Sequence, residues 1–372
     1  MHIVSLDVPH PADYGGVIDI FYKVTTLHSL GVSITLHCFA YGREPAPELE
    51  SLCTEVIYYP RKTGLLSNLS RYPYIVSSRR DLQLLANLRK DDSPILFEGI
   101  HTAYPLIAGE LGERRLMLRS HNIEHNYYRE LTLREPNPIK KLYFLKEAIL
   151  LQRLLGKLPH RLAVAAIARG DVYALESQFP EVWWLPPFHS NERITSRTGR
   201  GTYVLFHGNL SVTENLEIAQ LLVGQFRGKP IPLVLAGKAP PADLVASVGQ
   251  VSNITLLPDP DASTMHDLIA EAHVVVVASN QPTGIKLKLV ESLYRGRFCV
   301  ANRVIVRDTG LDDTVILEDI NFYEASRKLM DISFTEEDVM ARKSILLEYY
   351  DNIRNAKTLL RRLTGGAAGG VP

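Results

Sequence analysis

Short apolar runs alternate with helix-length amphipathic stretches along this chain, and the alternation happens twice, on either side of a segment without periodicity. That pattern belongs to α/β layers built on parallel sheets, whose strands are covered on both faces and are apolar nearly throughout. In the first half it predicts strands at 2–6 (HIVSL), 33–39 (SITLHCF), 55–59 (EVIYY), 95–99 (ILFEG), 115–120 (RLMLRS) and 161–166 (RLAVAA). In the second half it predicts strands at 202–206 (TYVLF), 232–237 (PLVLAG), 254–258 (ITLLP), 273–279 (HVVVVAS), 298–302 (FCVAN) and 314–318 (TVILE). VIDIFYKVTTLHSLG, RRDLQLLANLRK and PIKKLYFLKEAILLQRLLGKL read as helices between the first set. Ser211 with Glu214 reads as a capping box opening the helix after TYVLF. WWLPPFHSNERITSRTGRG, rich in Pro, Ser, Thr, Gly and Arg, has the composition of a linker and places a boundary near residue 190. The stretch ISFTEEDVMARKSILLEYYDNIRNAKTLLRRL predicts two terminal helices, and GGAAGGVP a frayed tail.

A chain of 372 residues, 46% hydrophobic and 22% charged, can bury two cores of ordinary size. Its 41 basic and 41 acidic residues cancel, so no net charge draws the molecule to nucleic acid. Cys38, Cys53 and Cys299 have no CxxC spacing, which fits buried small hydrophobes in a reducing cytoplasm and argues against structural zinc. The opening MHIVSL is already a strand, and no apolar run reaches the roughly 20 residues that span a bilayer. The expectation is a cytoplasmic protein, with at most peripheral contact at the inner membrane face. Arg61, Lys62, Arg79, Arg80, Arg89 and Lys90 supply basic clusters for such contact, and solvated helix faces and turns fit them as well.

The segment PTGIKLKLVESLYRGRFCVAN carries the most chemistry. With a helix starting near Ile285, Gly284, Lys288, Glu291 and Arg295 share one face, while Leu287, Val290, Leu293 and Tyr294 turn toward a core. Gly296 would end the helix in a left-handed cap. A glycine that lets the backbone approach, free first-turn amides and two lysines suit phosphate oxygens, and a carboxylate one turn deeper suits hydroxyls. A nucleoside diphosphate carries just those groups. A solvated lysine face with Glu291 as ion-pair partner fits the same residues, although cations in a first turn are mildly unfavourable by themselves.

GIKLKLVESLYRGRFCV resembles, nearly position by position, the donor-binding motif of retaining GT-B glycosyltransferases of the family 4 type, also called group 1. The resemblance implies that Glu291 holds the ribose of a nucleotide sugar and that Lys286 and Lys288 stabilise its diphosphate. The family's earlier glutamate falls at Thr283, which removes a carboxylate that commonly binds sugar hydroxyls. FHGNLSVTENLEIAQLL resembles the strand, glycine turn and helix that open the family's C-terminal domain, with Gly208 and Asn209 at the turn. Asn209 stands where many members have arginine, which loads more phosphate neutralisation onto the two lysines. Thr283, Gly284, Ile285, Lys286, Lys288, Glu291, Gly208 and Asn209 are thus the implied donor-binding set.

ADYGGVIDIFYKV resembles the family's N-terminal glycine-rich loop, with Gly15 and Gly16 positioned to approach an acceptor or a phosphate; a simple turn before a helix fits them too. RSHNIEHNYYREL crowds His121, Asn122, Glu124 and His125 together, but HNIEH is not HExxH and has no evident third ligand, so no metal is expected. Family members commonly carry HNxE here, which implies that His121 meets the donor sugar or the reacting centre, with Asn122 and Glu124 on the acceptor side. Local caps of the strand-to-helix turn are the structural alternative for His121 and Asn122. Glu98 and His101, at another strand end, would line the acceptor side. In AIARGDVYAL, Asp171 reads as a helix N-cap.

The resemblance spans nearly the whole chain. It implies a GT-B fold: two Rossmann-like domains with parallel sheets facing each other across a cleft, and a C-terminal helix crossing back to the N-terminal domain. Residues 1–187 would bind the acceptor and 188–345 the nucleotide sugar, with 346–372 forming the returning helix and tail. The implied activity is retaining, hexosyltransferase-type transfer from a nucleotide-diphosphate sugar to a glycan or lipid-linked hydroxyl, in cell-envelope or exopolysaccharide synthesis. No metal or further cofactor is called for, because the leaving diphosphate can take the acceptor's proton while His121, Lys286 and Lys288 act at the reacting centre. A nucleotide-sugar 2-epimerase and a catalytically silent GT-B scaffold are the rival readings.

Overall fold

The computed structural model describes residues 1–365, apart from Glu110, Pro282, Thr283, Ile285 and the side chains of Leu65 and Leu66. The expectations for Thr283, Ile285 and tail residues 366–372 therefore lie outside the described residues.

The chain divides into two compact units. The first comprises Met1–Ser190 and Asp351 onward. The second comprises Asn191–Pro282 and Lys286–Tyr350. In the first unit, β1 (His2–Ser5), β2 (Thr35–Ala40), β3 (Glu55–Pro60), β4 (Ile95–Glu98), β5 (Leu116–Ser120), β6 (Ala163–Ala166) and β7 (Val182–Trp184) form one sheet in the order β3-β2-β1-β4-β5-β6-β7. In the second, β8 (Val204–Asn209), β9 (Leu233–Lys238), β10 (Ile254–Pro258), β11 (Val274–Val277), β12 (Phe298–Ala301) and β13 (Ile316–Leu317) are ordered β10-β9-β8-β11-β12-β13. Every strand pair in both sheets is parallel. The first sheet switches direction between β1 and β4 and the second between β8 and β11, and ligands of such sheets bind beyond the carboxyl ends of the strands at those points.

The strands follow from composition. β11 is four buried valines in a row; branched side chains suit the pleat, and full burial stabilises each by roughly 1.5–3 kcal/mol. Separate apolar clusters cover the two faces of each sheet. On the first sheet Ile3, Leu36 and Met117 pack under Ile20, Val24 and Leu27 of the helix Gly15–Ser29. The last helix, Asn352–Leu363, joins that layer through Ala356, Leu359 and Leu363, so the chain ends on the unit in which it began. Asn352 fixes its entry by donating to the His189 carbonyl at 2.7 Å.

Several local expectations are corrected. β7 runs into the start of the stretch read as linker, taking Trp183 and Trp184 from it; its three residues are too few to show a period. The helix after β8 is Thr213–Phe226, and Ser211 does not cap it: Asn209 Oδ1 accepts from the Ser211 amide (3.1 Å) and hydroxyl (2.7 Å), closing the turn earlier. A reciprocal capping box exists instead at Thr335 and Asp338, opening the helix Glu336–Tyr349. Asp171 is not an N-cap; Ala168 holds that position and Asp171 lies in the first turn of Arg169–Leu175. Gly296 has φ −80°, not a left-handed value; its need for glycine is steric, since a Cβ would lie 2.8 Å from the Ser292 carbonyl oxygen. Cys38 and Cys299 are buried and Cys53 partly so, all as free thiols. Among the described residues no helix is long and apolar enough to cross a membrane.

Candidate functional site

In the second unit the candidate residues gather at the carboxyl end of β8. The helix Leu287–Arg295 starts two residues later than predicted, with Lys286 at its N-cap, no side-chain cap and no acid in its first turn. Among the described residues, then, no side chain takes the first-turn amides, which suit an anion. Leu289, Val290, Leu293 and Tyr294 are buried, while Leu287, expected in the core, is only partly so. Lys288, Glu291 and Arg295 are all half-buried, on the polar face that the spacing placed them on. Gly284, at φ +77°, holds a left-handed conformation that favours glycine.

Lys288 is held rather than free. Its Nζ donates to Asn215 Oδ1 and to the Ala278 carbonyl, each at 2.9 Å, and lies 5.3 Å from the centre of the Phe206 ring. Burial, then the nearby Lys286 charge, lowers its pKa to about 8. Burial also lowers that of Lys286, with Glu214 opposing. Two cations whose ionisation is already penalised gain more from an incoming diphosphate than two solvated ones. Asn215, which also donates to the Asn209 carbonyl at 2.9 Å, was not singled out from the sequence; an asparagine in a first helical turn carries no distinctive signal. Gly208, at φ +156°, lies against Gly237 of β9, where a Cβ would approach the Gly208 carbonyl oxygen to 1.8 Å. The close approach of β8 and β9 thus requires glycine at 237. Glu291 faces His266 of the helix Ala262–Glu271 at 3.3 Å. Burial raises the Glu291 carboxyl, with His266 and then Arg295 opposing.

In the first unit a buried charge network lies at the ends of β4 and β5. Lys23 Nζ donates to Glu98 Oε1 (2.7 Å) and Asp19 Oδ2 (2.9 Å), and Arg119 meets both Asp19 oxygens at 3.1 Å. All four side chains are 0% exposed. Asp19 and Lys23 are one turn apart on the helix Gly15–Ser29, so one helical face delivers both charges. His121 sits on this network with Nε2 3.0 Å from Glu98 Oε2. Glu98, read as lining the acceptor side, is wholly buried instead, its Oε1 engaged by Lys23 and its Oε2 by His121. The carboxylate orients the ring so that Nδ1 faces Gly16, where a Cβ would lie 3.6 Å from it. Gly15 meets nothing within 4 Å, and the helix it starts has neither a side-chain cap nor an acid in its first turn. Asp19, Glu98 and His121 have atoms close enough to share a cation, but Lys23 and Arg119 already supply the positive charge. That donor set does not fit a resident metal.

His101 is partly buried and its Nδ1 has no hydrogen-bond partner; burial, then Arg79, keeps the ring neutral. His125 is partly buried on the helix Glu124–Arg134, which Glu124 opens. The Ser120 hydroxyl donates to the Asn122 carbonyl at 3.2 Å. Burial raises the Glu124 carboxyl to about 7 against a hydrogen bond from Asn122. Because the folded value lies above the unfolded one of about 4.3, the benefit of the neutral carboxyl is lost as pH rises toward about 7. Glu124→Gln should therefore gain stability relative to wild type between pH 5 and pH 8. Urea midpoints at the two pH values check this, and parallel changes in both proteins would refute it.

Residues 201–330 match the family model for glycosyl transferases group 1. The match includes the β8 turn, Asn215 and the whole of the lysine-bearing helix. A Klebsiella pneumoniae protein described as an uncharacterized 44.6 kDa protein in the cps region is 31% identical over 156 residues, 40% of this chain and 39% of that protein. The chain thus aligns with about two fifths of that relative's length. Anabaena HepE, crystallised with UDP and glucose, superposes with a TM-score of 0.65 at 12% identity, over 98% of this chain and 100% of its own. A glycosyltransferase from Rickettsia africae gives a TM-score of 0.65 at 12% identity over 99% of each chain. The two parallel-sheet units accordingly make up a GT-B fold of two Rossmann-like domains.

Proposed function

We propose that this protein is a retaining glycosyltransferase that moves a sugar from a nucleotide-diphosphate sugar to a hydroxyl of a glycan or lipid-linked acceptor. The observation that carries the reading is Lys288, half-buried in the first turn of the helix Leu287–Arg295 at the switch point of the second sheet, with Lys286 at the N-cap and Glu291 one turn deeper. In this reading the first-turn amides and both lysines take the diphosphate, Glu291 takes the ribose hydroxyls, and Gly208 and Asn209 flank the donor. Gly284 completes the donor set. Gly15, Gly16, His101, Asn122 and Glu124 belong to the acceptor side, and His121 meets the sugar. UDP is the first donor nucleotide to test, because HepE was crystallised with UDP and glucose. The cps-region relative supports a place in cytoplasmic exopolysaccharide synthesis.

Transfer forms a bond between the acceptor oxygen and the anomeric carbon and breaks the bond from that carbon to the diphosphate oxygen. The acceptor proton passes to the departing diphosphate, whose growing charge is met by Lys286, Lys288 and the helix amides. No metal or added cofactor enters this scheme. Thermal unfolding with UDP, GDP, ADP and their glucose conjugates tests it, since saturation at 100 times Kd adds about 2.7 kcal/mol of stability. One nucleotide should raise Tm; no rise with any would sink the donor site. Sugar isomerised without transfer would point to an epimerase. Transfer abolished by EDTA, or a product of inverted anomeric configuration, would overturn the mechanism.

A further inference from the structure

Beyond the carboxyl ends of β3 and β4 the first unit holds a cavity of about 700 Å³ whose lining includes Lys62, Ser70, Arg80, Asp81, Leu82 and Tyr104. Small-molecule sites span roughly 300–1,000 Å³. Two successive arginines take opposite places here. Arg79 is buried, its guanidinium donating to the carbonyls of Leu6 and Ile75 at 2.8 Å. Arg80 is exposed, and its guanidinium lies 5.7 Å and 5.2 Å from the ring centres of Tyr72 and Tyr104, which meet edge to face. The rings hold the cation without occupying its N–H groups, and among the described residues no carboxylate pairs with it. The Ser70 oxygen accepts from the Tyr72 amide at 3.1 Å, and neither the Ser70 proton nor the Tyr104 hydroxyl has a partner among the described residues. Lys62 donates to the Arg80 carbonyl at 2.8 Å and lies 3.7 Å from Asp81 Oδ2, while Asp81 Oδ1 caps the helix Leu82–Leu88.

We propose that this cavity is a subsite for an acidic sugar, a hexuronic acid residue of the acceptor glycan, with its carboxylate on Arg80 and Lys62 and its hydroxyls on Tyr104, Ser70 and Asp81. Two basic side chains against one acidic leave a single positive charge in the lining, which matches one carboxylate and falls short of a diphosphate. The guanidinium fork meets both carboxylate oxygens at once. Unpaired hydroxyls beside it suit a polyol and would go unused against a bare anion. Leu82, 74% exposed at the rim, offers apolar contact to the C–H face of a sugar ring. The cavity shares the strand-end edge on which His121 lies, and the charges of Arg79 and His121 both reach the His101 ring. The inference rests on the reading of the first unit as the acceptor side.

Saturation-transfer NMR titrations of the full chain with a glucuronic acid disaccharide, the matching glucose disaccharide and inorganic phosphate test it. The acidic disaccharide should bind at least about tenfold more tightly than the neutral one, and phosphate at equal ionic strength should not displace it. Arg80→Gln should weaken that binding about tenfold, Arg80→Lys about fivefold because a point charge lacks the fork, and Tyr104→Phe about threefold. Lys140→Gln, on the surface of the helix Pro138–Leu155, should leave it unchanged, and all variants should keep the wild-type Tm. Equal affinity for the two disaccharides, displacement by phosphate, or indifference to Arg80→Gln would each overturn the proposal. The nucleotide-induced rise in Tm, measured alongside, separates the two readings. A rise without binding of the acidic disaccharide strikes this subsite alone, and binding without a rise leaves the sugar site standing and strikes the donor site.

Discussion

Asp19→Asn should cost about 3–5 kcal/mol of folding stability, the range for removing one partner of a buried ion pair. Asp19 is wholly buried and accepts from Lys23, from Arg119 and, at 2.8 Å, from the Phe188 amide. Burial opposes its ionisation, but Arg119 and then Lys23 overcome this and hold the carboxyl far below the ordinary carboxylate range. Two carboxylates face two basic side chains; the amide would leave the Arg119 guanidinium without its carboxylate and Lys23 with Glu98 alone. Because the folded pKa is depressed, Asp19's contribution is present above the unfolded value of about 3.9 and is lost only as pH falls through the folded one. The gap between variant and wild type should therefore stay constant from pH 5 to pH 8 in urea titrations. Adding Lys23→Met should restore part of the loss by rebalancing charge. A single substitution costing under about 1 kcal/mol would show that the buried charges are not coupled as the geometry requires.

Lys288→Ala should lower kcat/KM for transfer by about 10²–10³, the usual effect of removing one preorganised donor to a developing anion. It should also remove most of the nucleotide-induced rise in Tm. Lys288→Arg should not rescue it, because a planar guanidinium cannot reproduce the point contacts to Asn215 Oδ1 and the Ala278 carbonyl. With a pKa lowered to about 8, Lys288 is a cation at neutral pH and sheds its proton just above it. Donor affinity should decline as pH rises through about 8, and binding near that pH should take up a proton, because the diphosphate restores the charged form. Calorimetry in buffers of different ionisation enthalpy reads that uptake directly. Turnover within about twofold of wild type in Lys288→Ala would remove the basis of the proposed function.

How far each feature could be read depended on how local its cause is. The strands were legible because burial on both faces leaves an unbroken apolar run, as in β11. The polar face of Leu287–Arg295 was legible because helical periodicity depends only on spacing. Caps were not: Ser211 is taken by Asn209, and Thr335 forms the box that Ser211 was expected to form, since a cap depends on which side chain reaches an amide first. The burial of Glu98 was not legible either, because its partners Lys23 and His121 are 75 and 23 residues away in sequence.

From its residues alone this chain is two parallel α/β layers with a lysine-bearing helix start, because apolar period and glycine placement act over a few residues. Tertiary structure decided the rest: that Lys288 is held by Asn215, that Glu291 faces His266, that Glu98 is buried against His121, and that Arg79 is buried while Lys140 is not. Each of these turns on the distance between charges far apart in sequence and on how much water is left around them, and Coulomb energy and desolvation take their size from three-dimensional packing.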